Sequence, residues 1–567
     1  MVGSRGRARA AALVLAALTL ILSGCKKPKE EPGVVAGGPA APAASSTPLE
    51  LLVVYGSEKE AWFTAELTAF NATPPRLASG RVVRVSGEPM GSGEAMGAII
   101  DGTKAAHVFS PASGAYLTLL NQAWQTRPGN LKPIAQGGEP LVLSPLVIGI
   151  WKPMAEALGW PQRPLGWSDL LKVARDPRGW GAFERPEWGS FKLGHTSPEY
   201  STSGLLSVLA IAAAAKPAAG RGSVDVADPE VGKFLAAVED SVVHYGKSTG
   251  FFANKMLARG PGYLSAAVLY ENLVIESYAR ATPSELPLIA LYPVEGTFWA
   301  DHPYAILDAP WVSAEHREAA ALLQRALRDR PAQERAVALG FRSSDPAIPV
   351  TSPIDAAHGV DPLQPQNLLD VPDAPTLSAL VDLWRASKKA ADVVLVFDKS
   401  GSMEGQALAE AKRGAKAFLA GLDPRDRVTL MFFDGRIYPA VGPMPAGAGR
   451  AELEARIDGV VAAGGTALYD AIAAAVAHLR KSGGSSHRIR AVVAMTDGID
   501  ENSRLKAAAL RRALGREEDR ISVFTVAYGA NADAGILTSI ADAANGSFSR
   551  GDVASIIQVF RDLAAYF

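Results

Sequence analysis

Short apolar runs alternate along most of the chain with longer stretches in which apolar residues recur every three or four positions. The short runs predict strands buried on both faces, and the periodic stretches predict helices. Their alternation predicts an α/β protein. Leu51–Tyr55, Val82–Ser86 and His107–Phe109 are predicted strands, with a helix running from the turn at Gly56-Ser57-Glu58 through Phe70. Leu141–Trp151 reads LVLSPLVIGIW, long and apolar enough to cross between two lobes. Trp167–Ala174 and Leu205–Ala215 predict helices, Ala266–Glu271 is expected to open another, and Leu288–Pro293 returns as a strand. In Pro372–Ala390, the residues Leu377, Leu380, Val381, Leu383 and Trp384 keep helical spacing, which predicts a linking helix with Trp384 packed between domains.

The C-terminal part repeats the alternation. Val393–Phe397 is five apolar residues in a row, too few for a helix. Val428–Phe433, Ile489–Met495 and Ile521–Ala527 are further predicted strands, and Gln406–Ala420, Ala467–Leu479 and Val553–Ala565 predicted helices. Asp434-Gly435 signals a hairpin, with Ile437–Val441 as a short edge strand. The expected architecture is a doubly wound, Rossmann-like sheet.

The strand Val393–Phe397 runs into Asp398-Lys399-Ser400-Gly401-Ser402. One carboxylate and two hydroxyls at alternate positions of a curled loop can face one point. Oxygen-only ligation suits a hard cation such as Mg²⁺ or Ca²⁺. The competing reading is an N-cap for the following helix. Two later stretches favour the metal. Gly464-Gly465-Thr466 brings a hydroxyl into a helix start, and the strand ending Met495-Thr496-Asp497 brings a second carboxylate. All three ends can lie on the carboxyl edge of one parallel sheet, where open α/β sheets bind ligands.

Asp398, Ser400, Ser402, Thr466 and Asp497, with the text GGTALYDAI, resemble the von Willebrand factor A family, whose fold is shared with integrin inserted domains. The resemblance spans roughly residues 390 to 567. It implies a metal-ion-dependent adhesion site on those five residues, holding Mg²⁺, with Ca²⁺ and Mn²⁺ as alternatives. Two carboxylates leave such an ion positively charged and partly hydrated. An acidic residue of a partner protein can then complete its shell, which is adhesion rather than catalysis. Asp500 and Glu501, close by in sequence, read as a solvated loop.

Composition narrows the class. The chain has 567 residues, 48% hydrophobic and 20% charged, with a formal net charge of -1. That leaves no basic footprint for nucleic acid. Cys25 is the single cysteine, so no internal disulfide can form. Arg5, Arg7 and Arg9 precede an apolar run, Ala11–Ile21, and then Leu22-Ser23-Gly24-Cys25, which resembles a bacterial lipobox. This implies lipidation of Cys25 and a membrane anchor without a spanning helix. Lys26 stands where an Asp would signal inner-membrane retention in a Gram-negative bacterium, so in a Gram-negative cell envelope the outer membrane is favoured. Residues 26–48, rich in Pro, Gly, Ala and Ser, read as a tether.

Residues 49–370 resemble a two-lobed bacterial extracellular solute-binding protein, which implies closure of two lobes on a small solute. Ser57, Ser110, Ser113, Ser201, Thr202 and Ser203 sit where strands yield to helices. Such hydroxyls either cap helices or, with helix N-terminal N–H groups, cradle an anion. Tyr270 and Glu271 line the cleft or belong to the surface, and His302 reads as a turn residue. Gly246-Lys247-Ser248-Thr249 lacks the first Gly of a phosphate-binding loop, and Gly91-Ser92-Gly93 with Gly97 has the wrong spacing for a dinucleotide loop. No H-E-x-x-H pair and no G-x-S-x-G elbow is present.

The expected division is a signal peptide over 1–24, a tether over 25–48, a solute-binding-like domain over 49–370, a linker helix over 371–389 and a von Willebrand factor A domain over 390–567. The expected function is metal-dependent binding of a protein partner by an envelope lipoprotein, not catalysis. The alternative is a solute receptor of an ABC-type transporter with an accessory docking domain. A metal-using hydrolase is the third class, with no base or nucleophile legible near the five ligands.

Overall fold

The computed structural model describes residues 47–216, 224–280, 286–482, 488–515, 521–529, 531–552 and 555–567. The expected signal peptide, Cys25 and nearly all of the tether lie outside the described residues. Among those described, no helix is long and apolar enough to cross a membrane.

The described chain carries three sheets. The first has the order Val83–Met90, Leu49–Gly56, Val108–Ser110, Pro303–Leu307 and Ala135–Pro140. Its first three strands are parallel, and Pro303–Leu307 runs antiparallel to both of its neighbours. The second sheet is built on Val142–Trp151, which pairs with Ala266–Tyr270, Leu288–Leu291, Trp299–Ala300 and Arg342–Ser343. Leu193–Thr196 and Val242–Gly246 extend it in parallel. The long apolar run does cross between lobes. Leu141 and Val142 pack in the core of the first lobe, whereas Leu146 to Trp151 belong to the core of the second.

Three expectations need correcting. Ala266–Glu271 does not open a helix. Ala266–Tyr270 is a strand between Val142–Trp151 and Leu193–Thr196, and the helix begins at Glu271. All five strand residues are buried, so packing on both faces overrides the helical preference of the alanines. Tyr270 and Glu271 are wholly buried rather than surface residues. The edge strand of the C-terminal sheet lies at Val441–Pro445, not Ile437–Val441. After Asp434-Gly435 the chain makes only an isolated bridge, Phe433 with Ile437, before pairing properly. The Asp434 side chain accounts for this. It accepts from the Arg436 N–H (3.0 Å) and the Tyr438 hydroxyl (2.6 Å), which holds a wider loop than a two-residue turn.

The third sheet has the order Val441–Pro445, Arg427–Phe433, Ala390–Asp398, Arg488–Thr496, Ile521–Tyr528 and Phe548–Gly551. All neighbours are parallel except the first pair. The order steps outward in both directions from Ala390–Asp398. This is a doubly wound sheet whose switch point falls beside the end of its central strand. Val393 to Phe397 are at most 1% exposed, because helices cover both faces of that strand. The linker helix Ala374–Ser387 is capped by Asp373, whose carboxylate accepts from the Thr376 N–H. Trp384 is buried and meets the Tyr245 ring edge-on at 5.2 Å, which joins this helix to the second lobe.

Candidate functional site

Asp398 ends the central strand of the third sheet, and its carboxylate is fully buried. Oδ1 accepts from the Ser400 N–H at 2.8 Å, and Oδ2 accepts from the Thr496 hydroxyl at 2.5 Å. The chain then curls through a single 3-10 turn, Gly401–Met403. The Ser400 and Ser402 hydroxyl oxygens lie 3.1 Å apart, and Ser402 donates to Asp497 Oδ1 at 2.7 Å. Thr466 is buried on the facing loop. A Cβ added to Gly498 would lie 3.4 Å from Thr466 Oγ1 and 3.6 Å from Ser402 Oγ, so both hydroxyls face the same glycine. Five oxygen-bearing side chains, drawn from three loops, thus gather at one edge of the sheet.

The loops are tied together by backbone bonds. Gly401 donates to the Gly464 carbonyl and Ala463 to the Lys399 carbonyl, each at 2.8 Å. Gly464 has φ +81, and the Asp434 Cβ stands 3.2 Å from where its own Cβ would be. The positive φ therefore favours glycine there, and the space beside it is tight. Asn502 holds the Thr466 loop by accepting its N–H at 2.8 Å. Asn502 and Thr496 escaped the reading of the sequence. Thr496 directly precedes Asp497, which was the available signal; Asn502 offered none. Asp500 is no free loop carboxylate, since it accepts from the Tyr469 N–H and the Ser503 hydroxyl.

Burial pushes the Asp398 carboxyl up to about 6, against hydrogen bonds from Thr496 and Ser400 that pull it down, with neighbouring Asp497 adding to the rise. Burial likewise raises Asp497. Two reluctant carboxylates beside three hydroxyls fit a divalent cation, whose charge would favour ionisation of both. The donors are all oxygen, the preference of a hard ion. Among the described residues, no three His, Cys, Asp or Glu side chains gather as a metal cluster, so a cation here would rely on hydroxyl oxygens.

A second polar constellation lies between the first two lobes. Lys59 is completely buried. Its Nζ donates to the Ser110 and Pro111 carbonyls at 3.0 Å and lies 3.4 Å from Glu58 Oε1. His302, at φ +37, is the expected turn residue, yet it is fully buried with Nδ1 3.3 Å from both Lys59 Nζ and Glu58 Oε1. Burial brings Lys59 down to about 8, with Glu58 opposing. The Ser110 hydroxyl, Tyr270 hydroxyl and His302 Nε2 have no hydrogen-bond partner among the described residues. Sequence reasoning missed Lys59, Glu58 and His302, because a charged turn before a helix looks solvent-exposed.

The predicted hydroxyls are all buried, but they do not form one array. Ser57 bonds to Ser248 and accepts from the Gly250 N–H across the lobe boundary. Ser201 and Ser203 both bond to Thr249, and Ser203 also to Thr196, so they satisfy one another within the second lobe. Ser113 accepts from the Ala115 N–H. The Thr202 hydroxyl is unpartnered among the described residues. The lobes are latched nearby. The N–H groups of Gly93 and Glu94 donate to the Tyr200 carbonyl at 2.9 and 3.3 Å, and Tyr116 donates to the Pro198 carbonyl at 2.6 Å.

The description of bacterial extracellular solute-binding proteins matches residues 51–342, just over half of the chain. The chain belongs to that family. Residues 392–562 match the von Willebrand factor type A domain, so this solute-binding-family protein carries such a domain beyond its two lobes. Domains of that type commonly bear a metal-ion-dependent adhesion site. An uncharacterised protein of Mycobacterium tuberculosis is 23% identical over 451 residues, covering 74% of this chain and 63% of the relative. The chain therefore spans less than two thirds of that relative's length. The periplasmic binding protein AfuA of Actinobacillus pleuropneumoniae aligns at 15% identity over 60% of this chain and 98% of its own, with a TM-score of 0.43. A von Willebrand factor type A protein of Catenulispora acidiphila aligns at 23% identity over 31% of this chain and 42% of its own, with a TM-score of 0.27. The two kinds of domain are both binding domains, and the solute-binding family is extracellular by description.

Proposed function

We propose that this protein is a lipid-anchored receptor of the bacterial cell envelope that grips a partner protein through a divalent cation. Asp398, Ser400, Ser402, Thr466 and Asp497 hold Mg²⁺, directly or through water, and an acidic side chain of the partner completes the shell. The observation that carries this reading is the meeting of those five oxygen donors, from three loops, at the switch point of the third sheet. Cys25 provides the anchor, and the chain divides at 49–370, 371–389 and 390–567. A pull-down from envelope extract with the intact lipoprotein, in Mg²⁺ and in chelator, tests it. A partner retained only in Mg²⁺, and lost with Asp497→Ala, is the expected result. Identical capture in chelator would remove the metal from the reading.

The alternative, a solute receptor, draws support from the buried junction around Lys59. The unpartnered Ser110, Tyr270 and His302 atoms there are suited to a small polar solute. The two roles are compatible, with the lobes binding a solute and the third sheet the partner.

A further inference from the structure

Where the last helix of the chain, Ile556–Ala564, meets the two lobes, the structure forms an open cavity of about 350 Å³. Its walls come from all three modules: Glu94 and Met90 from the first lobe, Lys247, Phe251 and Lys255 from the second, Asp562 and Tyr566 from the third. The volume lies in the range of small-molecule sites.

Charges of both signs line this cavity. Lys247 Nζ lies 2.5 Å from Glu94 Oε1 and 2.8 Å from Asp562 Oδ1, so one ammonium serves two carboxylates. Those three side chains together carry one surplus negative charge. Glu88, also on the wall, is held by Lys104 at 2.6 Å. Lys255 lines the same cavity. Its Nζ is closed off from solvent and has no hydrogen-bond acceptor among the described residues. It rests 5.8 Å from the Tyr263 ring centroid and 5.5 Å from that of Tyr566. Burial, with Arg259 close by, brings Lys255 down to about 7. A ring face is a weaker partner than a carboxylate, and the four-carbon stem lets the ammonium turn from the rings toward the cavity.

We propose that this cavity binds a small zwitterion, an amino acid with an apolar side chain. The ligand carboxylate meets Lys255, its ammonium meets Glu94 and Asp562, and its side chain lies against Met90 and Phe251. Neither charge alone matches both the carboxylates and Lys255. The bound molecule touches both lobes and the last helix, so it fastens the third module to the closed lobes. The site is separate from the metal edge and from the junction around Lys59.

Thermal unfolding of the full chain tests this with L-leucine, L-methionine and L-phenylalanine as probes. 4-Methylpentanoate, which lacks the amine, and 3-methylbutylamine, which lacks the carboxylate, are the controls. At least one amino acid should give a saturable rise in Tm, with a midpoint at least about tenfold below either control. Lys255→Met should abolish that rise. Removing an unpaired buried charge leaves the fold intact or firmer, so the variant remains interpretable. Asp562→Asn should weaken the amino acid and the amine while sparing 4-methylpentanoate. No saturable shift with any of the three amino acids, or an undiminished shift in Lys255→Met, would overturn the proposal.

Discussion

Asp398→Asn separates the cost of this buried carboxylate from its proposed use in holding a metal. Asp398 is fully buried with its carboxyl raised to about 6, whereas an unfolded Asp titrates near 3.9. Between those values the folded state holds a proton that the unfolded state has released. Stability therefore falls as pH rises from about 4 to about 6, and the full loss persists above 6. A shift of about two units corresponds to roughly 3 kcal/mol of destabilisation at neutral pH. Asn cannot ionise, and its amide can still accept from the Ser400 N–H and donate to the Thr496 oxygen. The variant should exceed the wild type in chelator at pH 7 by about 1–3 kcal/mol, a rise of a few degrees in Tm for a domain of this size. At about pH 4 the difference should vanish. Adding Mg²⁺ should reverse the ranking, because the wild type gains stability by mass action and the variant does not. Calorimetry of the full chain in chelator and in Mg²⁺, at both pH values, reads all four cases. A variant less stable than wild type in chelator, or equally stabilised by Mg²⁺, would refute the reasoning.

Further outcomes follow from the same geometry. Thr466→Val keeps the volume but removes a hydroxyl; Mg²⁺ affinity by titration calorimetry should drop about 10–100-fold while chelator-state stability moves by about 1 kcal/mol at most. Gly93→Val would set a Cβ 2.1 Å from the Glu199 carbonyl oxygen, so the lobes should open, seen as a larger radius of gyration in small-angle scattering; an unchanged radius would contradict the latch. Asp392, between Arg427 and Arg488, is held below the usual carboxylate range against the pull of burial. Its stabilising contribution is present above the unfolded value near 3.9 and is lost as pH falls through its lower folded value, so Asp392→Asn should cost about 1–2 kcal/mol at pH 7 and nothing at strongly acid pH.

The five-oxygen edge was legible because its constraints are local. A strand buried on both faces must be apolar throughout, as Val393 to Phe397 are, and loop side chains that turn toward one point must alternate, as Asp398, Ser400 and Ser402 do. The junction around Lys59 was not legible. Lys59, Tyr270 and His302 are far apart in sequence, and each is locally unremarkable. What distinguishes them is burial by elements that pattern alone cannot bring together. Ala266–Tyr270 failed for the same reason: its neighbours on both sides decide that it is a strand.

That contrast bears on how the modules act together. Lys247 bonds to Glu94 of the first lobe and Asp562 of the last helix. Arg259, at the end of the helix that begins just after Lys247, bonds to Asp542 and the Gly546 carbonyl. One helix of the second lobe therefore contacts the first lobe at its start and the third module at its end. The last helix packs along Gln406–Gly421, where Gly414 admits the Phe560 ring. Gln406–Gly421 begins just after the Asp398 loop. A change in lobe closure at Glu94 thus has a continuous packed route to the proposed metal site. By linkage, Mg²⁺ and closure must favour each other equally if they favour each other at all. Gly93→Val, by opening the lobes, should then alter Mg²⁺ affinity although it touches no ligand, and an unaltered affinity in a variant shown to be open would mean that the two sites are uncoupled.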